Sequence, residues 1–209
     1  MPARGPVITG VVEGRVDEAV FRRLVRMVGA QPGPVLGKLG KGAILKRLKG
    51  YNEAARHSPW LVLVDLDHDA PCAPPFCSTV LPDPAPLMRL RVAVREVETW
   101  LMGDAVRIAH FLGVSASRIP REPESLPDPK RQMVEIASKS RLSKIRLDLV
   151  PRPESGREVG PAYSSRLIEF ITRDDGGWRP KIAARQSESL DRCIHALASL
   201  ARDARARAR

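Results

Sequence analysis

The stretch Trp60-Leu-Val-Leu-Val-Asp65-Leu-Asp67-His-Asp69 constrains the fold more than any other. Its run of Leu and Val reads as a strand buried on both faces, and the acids that follow put a polar site at the strand's carboxyl end. Strands of that kind belong to parallel sheets covered by helices. Side chains alternate along a strand, so Asp65 and Asp67 are expected on one side with nothing between them. Two carboxylates that close repel unless one holds a proton or a cation sits between them, and a divalent metal is the natural occupant. The competing reading is an acidic loop that only solvates the end of a strand.

The rest of the chain extends this pattern. Val7-Ile-Thr-Gly-Val-Val12 is a second candidate buried strand, and Glu13-Gly14 at its end places another acid on the same rim if the strands are parallel. From Asp17 to Val28 apolar residues recur at three- and four-residue steps, with acids at the start suited to a helix dipole. Pro32-Gly33-Pro34 marks a turn, Val35-Leu36 a short strand, and Ala43 to Arg56 a helix with Ile44, Leu45, Leu48 and Tyr51 on one face. Between them, Gly37-Lys38-Leu39-Gly40-Lys41-Gly42 is glycine-rich, but Gly42-Ala43 stands where a phosphate-cradling loop needs Lys and then Ser or Thr. Lys38 and Lys41 remain as contacts for a phosphate backbone. Ala70 to Pro86 reads as loop; His68, Cys72 and Cys77 lie within or beside it without the fourth ligand or the spacing of a zinc site.

Leu90-Arg-Val-Ala-Val94 is a fourth strand, followed by Glu96 and Glu98 at the start of a helical pattern. Either glutamate is accounted for by the macrodipole alone; Glu98, beside Trp100, is the preferred ligand of the two. The alternation of strands and helices predicts an α/β fold, a mostly parallel four-stranded sheet of Rossmann-like type flanked by helices. The expected division is a core over residues 1–115 and a C-terminal helical cap over 116–209. In the latter, 130–141, 163–171 and 187–202 read as helices, 120–129 and 151–161 as connectors, and the arginine-rich tail from Arg202 to Arg209 as a solvated helix end.

Composition narrows the function. Lysine and arginine exceed aspartate and glutamate by 11 in 209 residues, which favours polyanions such as nucleic acid. Aromatic residues are only 4%, so a strand would be held by its backbone rather than by stacked bases. Three loosely spaced cysteines argue for reduced thiols, and the chain has neither a secretory signal layout nor a membrane-spanning apolar run, so a cytoplasmic protein is expected.

Val12-Glu13-Gly14 with Asp17, then Val64-Asp65-Leu66-Asp67, then Glu96-Val-Glu98-Thr-Trp100-Leu resembles the Toprim fold of topoisomerases, primases and OLD-family nucleases. The chain is similar more closely to a bacterial Toprim-like family often encoded beside an ATPase in presumed phage-defence cassettes; Pro161-Ala-Tyr163 and the segment from Ser187 to Leu190 resemble that family's closing part. The resemblance implies metal ligation by Glu13, Asp65 and Asp67, with Asp17 and Glu98 as the further acids of OLD-type enzymes and Lys181 as a lysine near the metals. No tyrosine stands where a topoisomerase nucleophile belongs, and no primase-like extension is present. The implied activity is Mg²⁺- or Mn²⁺-dependent nuclease action: Asp65, Asp67 and Glu98 hold one ion and Glu13 and Asp17 the other, with an ATPase as partner. The alternatives are an inactive Toprim-like scaffold that binds an ATPase or nucleic acid, and a phosphatase or nucleotidyl transferase acting on small nucleotides.

Overall fold

A computed structural model describes residues 5–207. The described chain forms two compact units, Met1–Val94 with Asp191–Arg209, and Arg95–Leu190. The first is an α/β unit. Its strands are β1 (Val7–Val12), β2 (Gln31–Gly37), β3 (Trp60–Asp65) and β4 (Met88–Ala93), separated by helices α1 (Arg15–Met27), α2 (Lys41–Ala54) and α3 (Ala73–Val80). All pairings are parallel, in the order β2-β1-β3-β4. The chain therefore steps from β1 outward to β2 and then returns to build β3 and β4 on the other side. That reversal puts the topological switch point between the carboxyl ends of β1 and β3, the place where parallel α/β sheets take their ligands.

Burial on both faces explains the aliphatic runs. Val62, Val64, Val11, Leu90 and Val92 pack with Ile44 and Leu48 of α2 and Phe76 of α3 on one face. Leu61 and Leu63, of opposite parity on β3, are equally buried. Each such side chain contributes roughly 1.5–3 kcal/mol relative to exposure. Gly10 of β1 leaves room for the Phe21 ring of α1, which a Cβ would meet at 2.8 Å.

Two segments differ from expectation. Pro32-Gly33-Pro34 lies inside β2 rather than in a turn, because β2 is an edge strand and its pairing with β1 shifts register between Ile8 and Gly10, where missing N–H groups are tolerated. The stretch expected as loop after Asp69 contains α3, whose Pro74 and Pro75 occupy first-turn positions that need no intrahelical N–H partner.

The second unit holds α4 (Val97–Met102), α5 (Ala105–Leu112), α6 (Pro129–Ser138), α7 (Ser143–Leu149), α8 (Tyr163–Thr172) and α9 (Pro180–Ala183). Helix α10 (Glu188–Arg207) begins there and continues into the first unit. The division thus falls after Val94 rather than at 115, and the last helix returns to the sheet. The reason is its apolar stripe: Cys193, Leu197, Leu200 and Ala201 are buried, Asp203 pairs with Arg89 of β4 at 2.5 Å, and Arg205 donates to the Gly29 carbonyl at 2.8 Å. The expected solvated tail is therefore helical through Arg207, while Arg209 lies outside the described residues. Among the described residues no helix is long and apolar enough to cross a membrane.

Gly37 ends β2 with φ +89°, and a Cβ there would sit 2.4 Å from the Val12 carbonyl oxygen. Gly37→Ala is expected to cost roughly 1–3 kcal/mol. Gly50→Ala, in the open interior of α2 with nothing within 4 Å of the added carbon, should stabilise by about 0.5–1 kcal/mol. Urea midpoints of the two variants check both signs.

Candidate functional site

Three chain segments meet at the rim between β1 and β3, and the Glu13 carboxylate joins them. Its Oε1 accepts the Asp65 N–H at 2.8 Å and its Oε2 accepts the Lys41 N–H at 3.0 Å. Lys41 is the first residue of α2, whose N-cap is Gly40 with no side chain to offer, so Glu13 supplies the cap from another strand. Burial raises the Glu13 pKa, the Asp65 N–H and Lys41 oppose the rise, and Asp17 and Asp67 add to it. Asp17 is buried in the first turn of α1, and its Oδ2 would lie 3.1 Å from a Cβ on Gly14.

The Lys41 side chain lies among oxygens. Its Nζ donates to the Asp65 carbonyl at 3.0 Å, the Leu66 carbonyl at 3.4 Å, Asp67 Oδ2 at 2.5 Å and Asp69 Oδ2 at 2.7 Å. Burial pulls its pKa down, but the hydrogen bonds and charges of Asp67 and Asp69 outweigh that and leave it raised. The ammonium is thus held charged, with 12% of its side chain exposed.

Strand β3 ends at Asp65, and Asp67 takes φ +50°, so the alternation that was to put Asp65 and Asp67 on one side does not reach Asp67. Leu66 turns into the core instead, and Asp67 reaches Lys41. The structure gathers Glu13, Asp17, Asp65 and Asp67 at one rim and adds Lys41 and Asp69. Lys41 had a legible signal: a lysine opening a helix stands against the macrodipole, which calls for acidic partners nearby. Among the described residues no group of three or more His, Cys, Asp and Glu side chains is arranged to hold a metal ion.

Glu98 and Lys181 belong to the second unit. Glu98 is 3% exposed in the first turn of α4, and its Oε1 accepts the Tyr163 hydroxyl at 3.0 Å. Burial, opposed by Lys130 and reinforced by Glu96, pushes its pKa up to about 7. Burial and the neighbouring Glu98 likewise raise Tyr163 well above its ordinary value. Glu96 accepts the Lys130 ammonium and N–H, both at 2.9 Å, and so holds the start of α6. Lys181 is exposed on α9; next to it, Arg179 clasps Asp104 through three N–H groups at 2.7–3.1 Å.

Compared with known proteins, the chain matches no family model, no curated protein and no solved structure.

Glu98 generates a pH prediction. Below an ordinary carboxyl value of 4.5, folded and unfolded chains both hold the proton; between there and about 7 only the folded chain does, so stability falls as pH rises across that window. Each pH unit between the two values removes about 1.4 kcal/mol, so the loss complete above pH 7 is about 3 kcal/mol. In Glu98→Gln that contribution to the slope vanishes, which denaturation midpoints at pH 5 and pH 8 will read.

Proposed function

We propose that this chain hydrolyses phosphodiester bonds of DNA or RNA with the help of Mg²⁺ or Mn²⁺, at the rim built by Glu13, Asp17, Asp65 and Asp67. The observation that supports this reading is the cation already held there: the Lys41 ammonium lies among two carboxylates and two main-chain carbonyls at the switch point between β1 and β3. The carboxylates of Asp67 and Asp69 and the carbonyls of Asp65 and Leu66 are hard oxygen donors, the kind that Mg²⁺ or Mn²⁺ takes. Asp65 and Asp67 are the first ligands we assign, with Glu13 and Asp17 beside them. A bound ion supplies neutralisation of phosphoryl charge and a more acidic water.

The chain's own residues do the positioning. Glu13 fixes the ends of β1 and β3 against the start of α2, so the acids are set before any ligand arrives. Lys41 balances Asp67 and Asp69, and once displaced from them carries a positive charge next to an incoming phosphate. Glu98, whose Oε1 accepts the Tyr163 hydroxyl in the second unit, enters the proposal as a further acid on the strength of the resemblance alone, as does Lys181. An ATPase partner in a phage-defence setting belongs to the same proposal.

A second reading draws on the same ammonium. If Lys41 is the permanent occupant of those oxygens, the chain is a non-catalytic subunit that binds an ATPase or nucleic acid, with the acids serving only to hold α2 in place.

Cleavage of plasmid DNA and of RNA with Mg²⁺ or Mn²⁺ separates the two. Loss of activity in Asp65→Ala is expected; equal activity in that variant ends the assignment, and absence of both cleavage and calorimetric metal binding in the wild type favours the scaffold. Lys41→Met removes the competing charge and should tighten Mn²⁺ binding by about tenfold, equivalent to about 1.4 kcal/mol. Unchanged or weaker Mn²⁺ binding would count against metal at these oxygens.

A further inference from the structure

The second unit contains a hollow of about 560 Å³ that the acidic rim does not use. It is lined by α5, the single turn Ala116–Arg118 and the link between α6 and α7. Helix α5 stops at Gly113, whose φ of +66° sends the chain back on itself, and Arg141 N–H donates to the Gly113 carbonyl at 3.1 Å. That stitch brings segments far apart in sequence around one opening. Ser140 braces the link: its Oγ accepts the Leu142 N–H at 2.9 Å and its carbonyl accepts from Arg146.

The charge around this opening is of one sign. His110, Arg118, Lys139 and Arg141 line it, all four are exposed, and no carboxylate does. Among the described residues none of the four side chains makes an ion pair or hydrogen bond, whereas Arg166 and Arg179 in the same unit are engaged by Asp148 and Asp104. Favourable interaction with helix C-termini accounts for His110, in the last turn of α5, and Lys139, the C-cap of α6. It does not account for Arg118 or Arg141, which lie outside both helices. The basic run continues at Lys144 and Arg146 with no acid between Lys139 and Arg146.

We propose that this hollow is a nucleic-acid backbone site, in which Arg118, Lys139 and Arg141 hold phosphodiester groups without reading base sequence. The proposal deepens the phosphodiesterase reading and takes its substrate class from it. The wall offers Val106, 65% exposed, and no Phe, Tyr or Trp ring on which a base could stack. Phosphate contacts of this kind release counterions, so binding must weaken steeply with salt.

The test uses the full chain without divalent metal and a fluorescent DNA duplex or RNA strand, with anisotropy read across a salt series. Lys139→Glu/Arg141→Glu is expected to weaken binding at least tenfold and to lower the salt slope by about 2, one for each lost phosphate contact. Lys46→Glu/Arg47→Glu on exposed positions of α2 removes the same charge elsewhere and should cost less. Arg118→Glu alone should reproduce part of the loss, which guards against misfolding of the double variant. Affinity and slope unchanged at Lys139/Arg141, or reduced no further than in the α2 control, overturns the proposal. Metal-dependent cleavage that survives this outcome leaves the catalytic reading standing, while binding that depends on Lys139 and Arg141 in a protein with no cleavage supports the hollow and removes only the catalytic reading.

Discussion

The carboxylate of Glu13 is the interaction on which the α/β unit's rim depends. One side chain accepts two main-chain N–H groups, from Asp65 at the end of β3 and from Lys41 at the start of α2, while its own backbone sits at the end of β1. Hydrogen bonds to a charged acceptor contribute roughly 1.5–3 kcal/mol each. The negative charge also lies where a helix N-terminus favours it. Because Gly40 has no side chain, removing Glu13 would orphan a helix donor and a strand-end donor together. The topology and the bond are mutually dependent, since only the return from β2 to β3 brings these three chain ends to one rim.

Once Glu13 has fixed the start of α2, the Lys41 side chain reaches the oxygens of residues 65–69. Asp67 meets it through a left-handed backbone, a conformation that aspartate adopts more readily than most residues. The result is an ammonium held by carboxylates from a loop and by carbonyls from the end of a strand and the residue after it. Glu98 shows the opposite solution to burying an acid. Its neighbour is a hydroxyl, its pKa rises to about 7, and the proton rather than a positive charge offsets its burial.

Much of this was legible in the residues. The runs Val7 to Val12 and Trp60 to Asp65 are strands at those bounds, because a strand covered on both faces leaves a continuous aliphatic signature. That Glu13 and Asp65 share a rim followed from parallel strands ending in acids. The placement of Asp67 was not legible, since strand alternation says nothing once the backbone turns left-handed past Asp65. Helix α3 was hidden by its prolines, which read as breakers unless they are recognised as first-turn residues. Lys41 was read as a phosphate contact, because the helix was expected to begin at Ala43, which hid the lysine that opens it, and its partners Asp67 and Asp69 lie far along the chain. The two-unit division was obscured for the same reason: the stripe on α10 announces a buried face without saying which elements cover it.

The proposed function brings a polyanion to an acidic rim, which carries an electrostatic conflict. Asp65, Asp67 and Asp69 repel phosphate, and a surplus of lysine and arginine elsewhere attracts it only within about a Debye length, roughly 8–10 Å at ordinary ionic strength. The conflict is resolved locally or not at all. Lys41 offsets one charge of the Asp67 and Asp69 pair, which leaves that pair net negative. A divalent ion arriving with its phosphate would complete the neutralisation that the lysine only begins. The same arithmetic makes a chain whose acids keep Lys41 a poor host for phosphate at that rim, so that any polyanion it carries must be held by unpaired basic side chains such as those around Arg118 and Arg141.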